Sequence, residues 1–259
     1  MFEENIGMDS ISSRAPTLQD VRNVSRGREN FYAFLSRLFG KEVDEEALKM
    51  IIASQPTVDF LASSQQTNEL KDGNRLLRNF VDQAKSLNAR EKQDLLTGLA
   101  AEYADLFLGL RSKPVLVCES AYLGEYRMYY GKPFSQVKDL YGRSGFEKRK
   151  NFLEPEDHVA VELDFMANLC RQTHLSLDEK NVQNAVHYLA MQKEFLMDHV
   201  LRWVPDLCET LKKTAESSLY KSLASLTSGF ISMEAGVVDE LAKTLENFRE
   251  QGSVRDADA

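Results

Sequence analysis

The sequence predicts an all-α protein, a bundle of roughly ten helices in two lobes with a central hinge or loop region. Apolar residues recur at three- and four-residue steps along most of the chain. Helix-start signals precede those runs, a Ser, Thr or Asn with an acidic residue three places on. Apolar–polar alternation never persists beyond a few residues, so no sheet is expected.

The elements follow in order. Thr17 and Asp20 have capping-box spacing, and Val21, Val24, Phe31, Leu35 and Leu38 carry the first helix to Gly40. A short helix is expected from Asp44 to about Ala53, with Pro56 as an interruption. Helical pattern resumes from about Glu69 to Ser86. Asn88 and Glu91 then open a helix that runs to about Phe107.

Residues 108–119, "LGLRSKPVLVCE", break the pattern, with "PVLVC" readable as a short extended piece. Fragmentary sequence continues to Gly145, with "PFSQVKDLY" as one short helix. In "NFLEPEDHVAVELDFMANLC", residues 151–170, Pro155 suits a first helical position and the acidic residues suit the helix dipole. Ser176 and Glu179 have the capping-box spacing for a helix of about 179–202. "WVP" is expected to break it at 203–205, and Pro205 to start another. A last helix or pair covers 218–248, with Gly229 and Gly236 as breaks, before a disordered tail at 249–259. The organisation expected is an N-terminal extension 1–27, a lobe 28–145 that includes a hinge loop 108–145, and a second lobe 146–248.

The 259 residues are 43% hydrophobic and 28% charged, a soluble globular profile with length for a large core. No apolar run approaches the roughly 20 residues that span a bilayer, so no stable membrane insertion is expected. The N-terminus lacks a secretory apolar region and the chain has no Arg-Arg pair, which points to the cytoplasm. The three cysteines, Cys118, Cys170 and Cys208, form no C-x-x-C pair and read as small apolar side chains.

The net charge of -8 is uneven. Residues 111–150 hold nine Lys/Arg against four Asp/Glu, while residues 151–259 hold ten against nineteen. An acidic second half disfavours nucleic acid and suits either a basic partner or plain solubility.

The usual apparatus of catalysis is missing. Neither phosphate-loop pattern, no G-x-S-x-G and no H-E-x-x-H occurs. His158 and Glu162, four apart, share a helix face and make two ligands of a metal-dependent hydrolase site, short of the three or four a zinc needs. Neighbours Asp157 and His158 point about 100° apart on a helix and make a poor dyad. On local physics alone Asp157 and His158 suit a capped helix start equally well. No catalytic residue, metal or cofactor is expected.

Glu154-Pro155-x-Asp157-His158, followed by Glu162, Phe165 and Met166, resembles the signature of the TorD/DmsD/NarJ family of redox-enzyme maturation chaperones. "EYADLFLG", Pro114 with "ESAYLGEY", "GRSGFE", "FLMDHVLRWVP" and "RENFYAFLSRLF" are similar to other family segments, in family order, over about 28–225. The full Glu-Pro-Glu-Asp-His form leans toward the TorD/DmsD branch. The resemblance implies an all-helical fold and a cytoplasmic chaperone, which binds the twin-arginine leader and apo form of a molybdoenzyme during molybdenum cofactor insertion. It implies a leader site at Glu154, Pro155, Asp157, His158, Tyr103, Leu106, Phe107, Pro114, Glu119, Ser120 and Tyr122. Asp157, with Glu154 and Glu156, pairs with the arginines in that reading, while Tyr103, Leu106, Phe107 and Tyr122 line an apolar groove for a helical leader. The same apolar residues suit a core. The resemblance also implies a monomer able to form a domain-swapped dimer, and weak guanine nucleotide binding in some members, which this sequence does not support with a phosphate loop. The alternative is an all-α interaction scaffold with another partner.

Overall fold

In the computed structural model, which describes residues 15–64, 67–110, 114–125, 130–148, 150 and 152–257, Thr17 opens the first helix with both halves of the expected capping box. Residues 1–14 of the expected extension, 111–113 and 126–129 of the expected hinge loop, and 258–259 of the expected tail lie outside the described residues. The helices are α1 (Leu18–Gly40), α2 (Glu45–Ser64), α3 (Asn68–Ser86), α4 (Ala89–Phe107), α5 (Glu119–Leu123), α6 (Lys132–Ser144), α7 (Val159–Asp178), α8 (Val182–Phe195), α9 (Leu201–Thr214) and α10 (Ser218–Ala257), with a π-helical turn, Leu196–Val200, between α8 and α9. Among the described residues no strand forms, and a single antiparallel bridge joins Cys118 to His158.

Both prolines expected to stop helices lie inside them. Pro56 faces solvent, while Ile51, Gln55 and Val58 hold the opposite face of α2 in the interior. Water can therefore serve the carbonyl that the ring leaves unpaired. Pro205 is also exposed, and the π-turn shifts the hydrogen-bond ladder just ahead of it, where proline supplies no amide hydrogen. The Ser176–Glu179 capping box does not form. Ser176 is buried in α7, Lys180 takes φ 58°, and Asn181 caps α8 by accepting from Asn184 N at 3.0 Å. Leu177 draws α7 onward by packing into a second, smaller apolar cluster.

Gly229 does not break α10. It lets α10 cross α3 closely: a Cβ at Gly229 would stand 2.8 Å from the Leu70 amide nitrogen, and one at Gly73 would stand 2.8 Å from that of Leu226. The helix is continuous through Gly236 and on into the expected tail.

α1 lies along α7, and α10 runs over α3, α9 and α8, so the chain ends cross the middle of the sequence. One apolar cluster takes Phe31 and Leu35 from α1, Leu77 from α3, Phe165 from α7, Trp203 from α9 and Phe230 from α10. The two segments expected as lobes share this core. The smaller cluster joins Val21 of α1, Ala185 and Leu189 of α8, and Leu241 and Leu245 of α10. The described part of the N-terminal extension and the extended C-terminal helix thus meet.

Candidate functional site

The Glu154–His158 segment is a junction between two helices. The Pro155 carbonyl accepts from His158 N at 3.1 Å and closes a turn, so α7 starts at Val159 and Pro155 stands before the helix, not at its first position. On one side of the turn Val117 O accepts from Val159 N at 2.8 Å, and Asp157 O accepts from Glu119 N at 2.9 Å. The two adjacent polar side chains then cap different helices. Asp157 Oδ2 accepts from Ser120 N at 2.8 Å, at the start of α5. His158 Nδ1 accepts from Ala160 N at 3.1 Å, at the start of α7. Their divergence, which disqualifies them as a dyad, is what lets them serve two helix ends.

His158 is buried, its ring edge-on to Phe152 at 5.3 Å. Burial, and then the Lys148 charge, push its pKa down to about 3, which keeps the imidazole neutral and Nδ1 free to accept. Lys148 reaches the Glu156 carboxylate at 3.8 Å and the Glu154 carbonyl, and Tyr141 OH donates to Glu156 O at 3.1 Å.

Beneath α5 lies a second buried layer. His199, on the π-turn, meets Glu119 at 2.9 Å, and Trp203 Nε1 donates to Glu162 Oε2 at 3.0 Å. Glu162 also stands against Glu119. Burial, then the Glu119 charge, hold the Glu162 carboxyl well above the usual carboxylate range. Tyr122 of α5 packs on the Trp203 ring at 5.3 Å and donates to Leu116 O at 2.9 Å. Sequence reasoning placed neither His199 nor Trp203 in the site. Their four-residue spacing put them on one helix face and was the signal to use.

The structure brings Glu119, Ser120, Tyr122, Asp157 and His158 together. It places Asp157 at 0% exposure, so it is not the open first-turn carboxylate that the sequence suggested. Tyr103, Leu106 and Phe107 are core residues and do not line an open groove. Tyr103 OH donates to Phe39 O at 2.9 Å, and its ring packs on Phe107 at 5.0 Å. Apolar side chains at three- and four-residue steps suit a groove and a core alike; here α10 brings Tyr220 against both rings. Pro114 is half-buried and leads into the bridge. Glu154 is exposed above this layer, close enough that its charge, after burial, raises the Tyr103 hydroxyl. Leu153 beside it is 90% exposed, and Leu108 and Leu110, just past α4, are 60% and 72% exposed.

Residues 66–209 match the family described as Nitrate reductase delta subunit. The chain is also similar to the Chaperone protein TorD of Vibrio cholerae serotype O1, 30% identical over 227 residues, with 86% of this chain and 97% of that protein covered. It belongs to the TorD/DmsD/NarJ family, in its TorD branch. The proteins named Chaperone protein TorD from Vibrio parahaemolyticus serotype O3:K6 and Photobacterium profundum are each 29% identical over 218 residues, 84% of this chain and 97% of theirs.

This is a family of redox-enzyme maturation chaperones, so the protein is a chaperone and not an enzyme. The caps give these residue types a use in this chain: Asp157 and His158 are both hydrogen-bond acceptors at helix starts. The hydrolase alternative falls with that membership, and the structure gives His158 and Glu162 other work, with one atom of each spent on Ala160 N and the Trp203 indole. Among the described residues no three His, Cys, Asp or Glu side chains are grouped to hold a metal, and no helix is long and apolar enough to cross a membrane.

Proposed function

We propose that this TorD-branch chaperone works in the cytoplasm, where it binds the twin-arginine leader and the apo form of a molybdoenzyme and shields the leader from export while the molybdenum cofactor is inserted. One observation carries the reading of the surface: exposed Leu153 and exposed Glu154 are neighbours at the start of the motif, and exposed Leu108 and Leu110 lie on the segment that leads into the Cys118–His158 bridge. A leader combines a basic segment with an apolar one, and exposed leucines with an acidic residue next to one of them suit both. Glu154 and Glu156 are the carboxylates open to an arginine. Asp157 joins them only if α5 moves, since its Oδ1 is buried and accepts no hydrogen bond among the described residues. Pro155, His158, Glu119, Ser120 and Tyr122 shape the junction, while Tyr103, Leu106 and Phe107 support it from within the core. The reading requires no cofactor, nucleotide or metal. It includes a monomer that exchanges with a domain-swapped dimer through the 108–145 segment, for which light scattering over a wide concentration range is the check.

Calorimetric titration of a twin-arginine leader peptide tests the reading. Glu154→Gln removes an exposed charge, and Leu153→Ser removes exposed apolar area. Losing a charge-assisted contact at Glu154 costs about 1.5–3 kcal/mol, a tenfold or greater loss of affinity. Wild-type affinity should also fall as salt rises. Equal, salt-independent affinity for wild type and both variants overturns the reading of this surface.

A further inference from the structure

α5 is five residues long, too short to persist without tertiary support. Besides the burial of Ala121 and the packing of Leu123 on the core, polar and aromatic contacts hold it. Asp157 supplies a carbonyl and a carboxylate at its start, His199 meets Glu119, and Trp203 supports Tyr122. Under it, Asp157 Oδ1 and Ser120 Oγ are buried and make no hydrogen bond among the described residues. His199 comes from a π-turn, a local departure from α-helix that is frequent at functional sites.

The layer below α5 holds Glu119 and Glu162 side by side, both excluded from solvent. Two ionised carboxylates in one buried place repel each other, so the closed arrangement favours a proton on one of them. We propose that α5 is a latch over Asp157, held shut while Glu162 carries a proton and released when that proton leaves. The groups that face Glu162 are Cys118 and Glu119 from the α5 segment, Asp157 ahead of α7, Tyr141 on α6 and Trp203 on α9, with His199 behind Glu119. Glu119 and Asp157 favour the proton on Glu162, whereas the Trp203 indole N–H favours its loss. On ionisation, the new charge has Glu119 as its nearest like-charged neighbour, and moving α5 away relieves the repulsion.

The linkage has a definite sign. Glu162 binds its proton more tightly in the closed state than in the open one, so opening releases a proton and is favoured as pH rises. The open-to-closed ratio climbs by up to tenfold per pH unit, from the ordinary carboxylate range up to the closed-state midpoint, and then levels. Released, α5 uncovers Asp157. Only the use of Asp157 for an arginine rests on the leader-binding reading; the latch itself does not.

Trp203 is the only tryptophan of the chain, and it touches both Glu162 and α5. The test uses the full chain without ligand. Trp203 emission and hydrogen-exchange protection factors of α5 are followed from pH 5 to 9, with α10 amides as the reference for global opening. In wild type, emission should move to the red and α5 protection should fall up to tenfold per pH unit while α10 holds. Glu162→Gln keeps the shape of the protonated side chain and should stay closed and flat across the range. Should that variant not fold, Glu119→Gln serves instead: it removes the charge that holds the proton, so the midpoint should move to lower pH. A flat wild-type profile, a Glu162→Gln profile that titrates like wild type, or an unmoved Glu119→Gln midpoint overturns the latch. Because no leader is present, these outcomes are separate from those of the leader titration.

Discussion

The Asp157 carboxylate accepts the Ser120 amide hydrogen at 2.8 Å, and this one bond ties the motif to a helix start 37 residues upstream. The Asp157 carbonyl accepts from Glu119 next to it, at 2.9 Å. Backbone and side chain of one residue thus hold the start of α5. A capped helix start and a functional motif are here the same object.

That burial changes what an Asp157 variant should do. An exposed first-turn carboxylate contributes about 1 kcal/mol at most. Asp157 is wholly buried, and its loss leaves the Ser120 amide without its acceptor, at about 1–3 kcal/mol. Asp157→Ala should therefore lose that much in chemical denaturation, and Asp157→Asn, which keeps an acceptor oxygen, should lose less. Equal losses for the two variants would show that the cap is not the source of the stability.

His158 and Glu162 should shape the pH–stability curve with opposite signs. His158 has a folded-state pKa near 3, below the usual imidazole value of 6.5. The unfolded chain binds the extra proton between those values, so this contribution is intact above 6.5 and lost as pH falls toward 3. Glu162, held up, acts the other way and costs stability as pH rises. His158→Asn retains a capping acceptor without a titrating ring. Its denaturation midpoints should fall less steeply than wild type between pH 6.5 and 4. Parallel acid limbs for the two proteins would remove His158 as a cause.

The fold class was legible because it depends on spacing. The boxes at Thr17–Asp20 and Asn88–Glu91 formed as the sequence proposed. Ser176–Glu179 failed because apolar burial of Leu177 outweighed a local cap. The proline stops failed because both rings found solvent-facing positions on helices whose other faces are buried. At the candidate site the motif residues could be read, but their direction could not. Whether Asp157 faces water or the interior depends on α5, a partner from elsewhere in the chain whose placement leaves no local periodicity to read.

Two glycines of α10 should respond to alanine in opposite directions. A methyl group at Gly236 would meet nothing within 4 Å, so Gly236→Ala gains helix propensity of up to about 1 kcal/mol. Gly229→Ala gains the same propensity but sets its Cβ 2.8 Å from the Leu70 backbone and 3.1 Å from Glu69 Cβ. Backbone cannot swing aside as a side chain can, so α3 and α10 must separate, and overpacking of this kind costs about 1–3 kcal/mol. Thermal melts should rise for the first variant and fall for the second. A rise for both would mean that the α3–α10 crossing gives way easily.

The buried ion pair between α1 and α10 supports the sharpest stability test. Arg28 Nη2 lies 2.6 Å from Glu234 Oε2, Arg28 Nη1 donates to Gln192 at 2.7 Å, and Tyr32 OH donates to Glu234 at 2.7 Å. Gln192 continues the network by donating to Thr173 at 2.8 Å. Removing one ion leaves the other buried and uncompensated, which costs about 3–5 kcal/mol. Glu234→Met strands the Arg28 guanidinium and also deprives Tyr32 of its acceptor. Arg28→Met/Glu234→Met removes both charges and fills the space with apolar atoms, leaving the Tyr32 hydroxyl short of a partner and the Gln192 oxygen with the weak Cys170 thiol donor at 3.6 Å. An unpaired neutral group costs less than an unpaired charge. The double variant should therefore be more stable than Glu234→Met alone, although its second substitution lies in the core. Urea denaturation of both variants decides the matter: if the double variant is the less stable, the pair is not held by mutual compensation of charge.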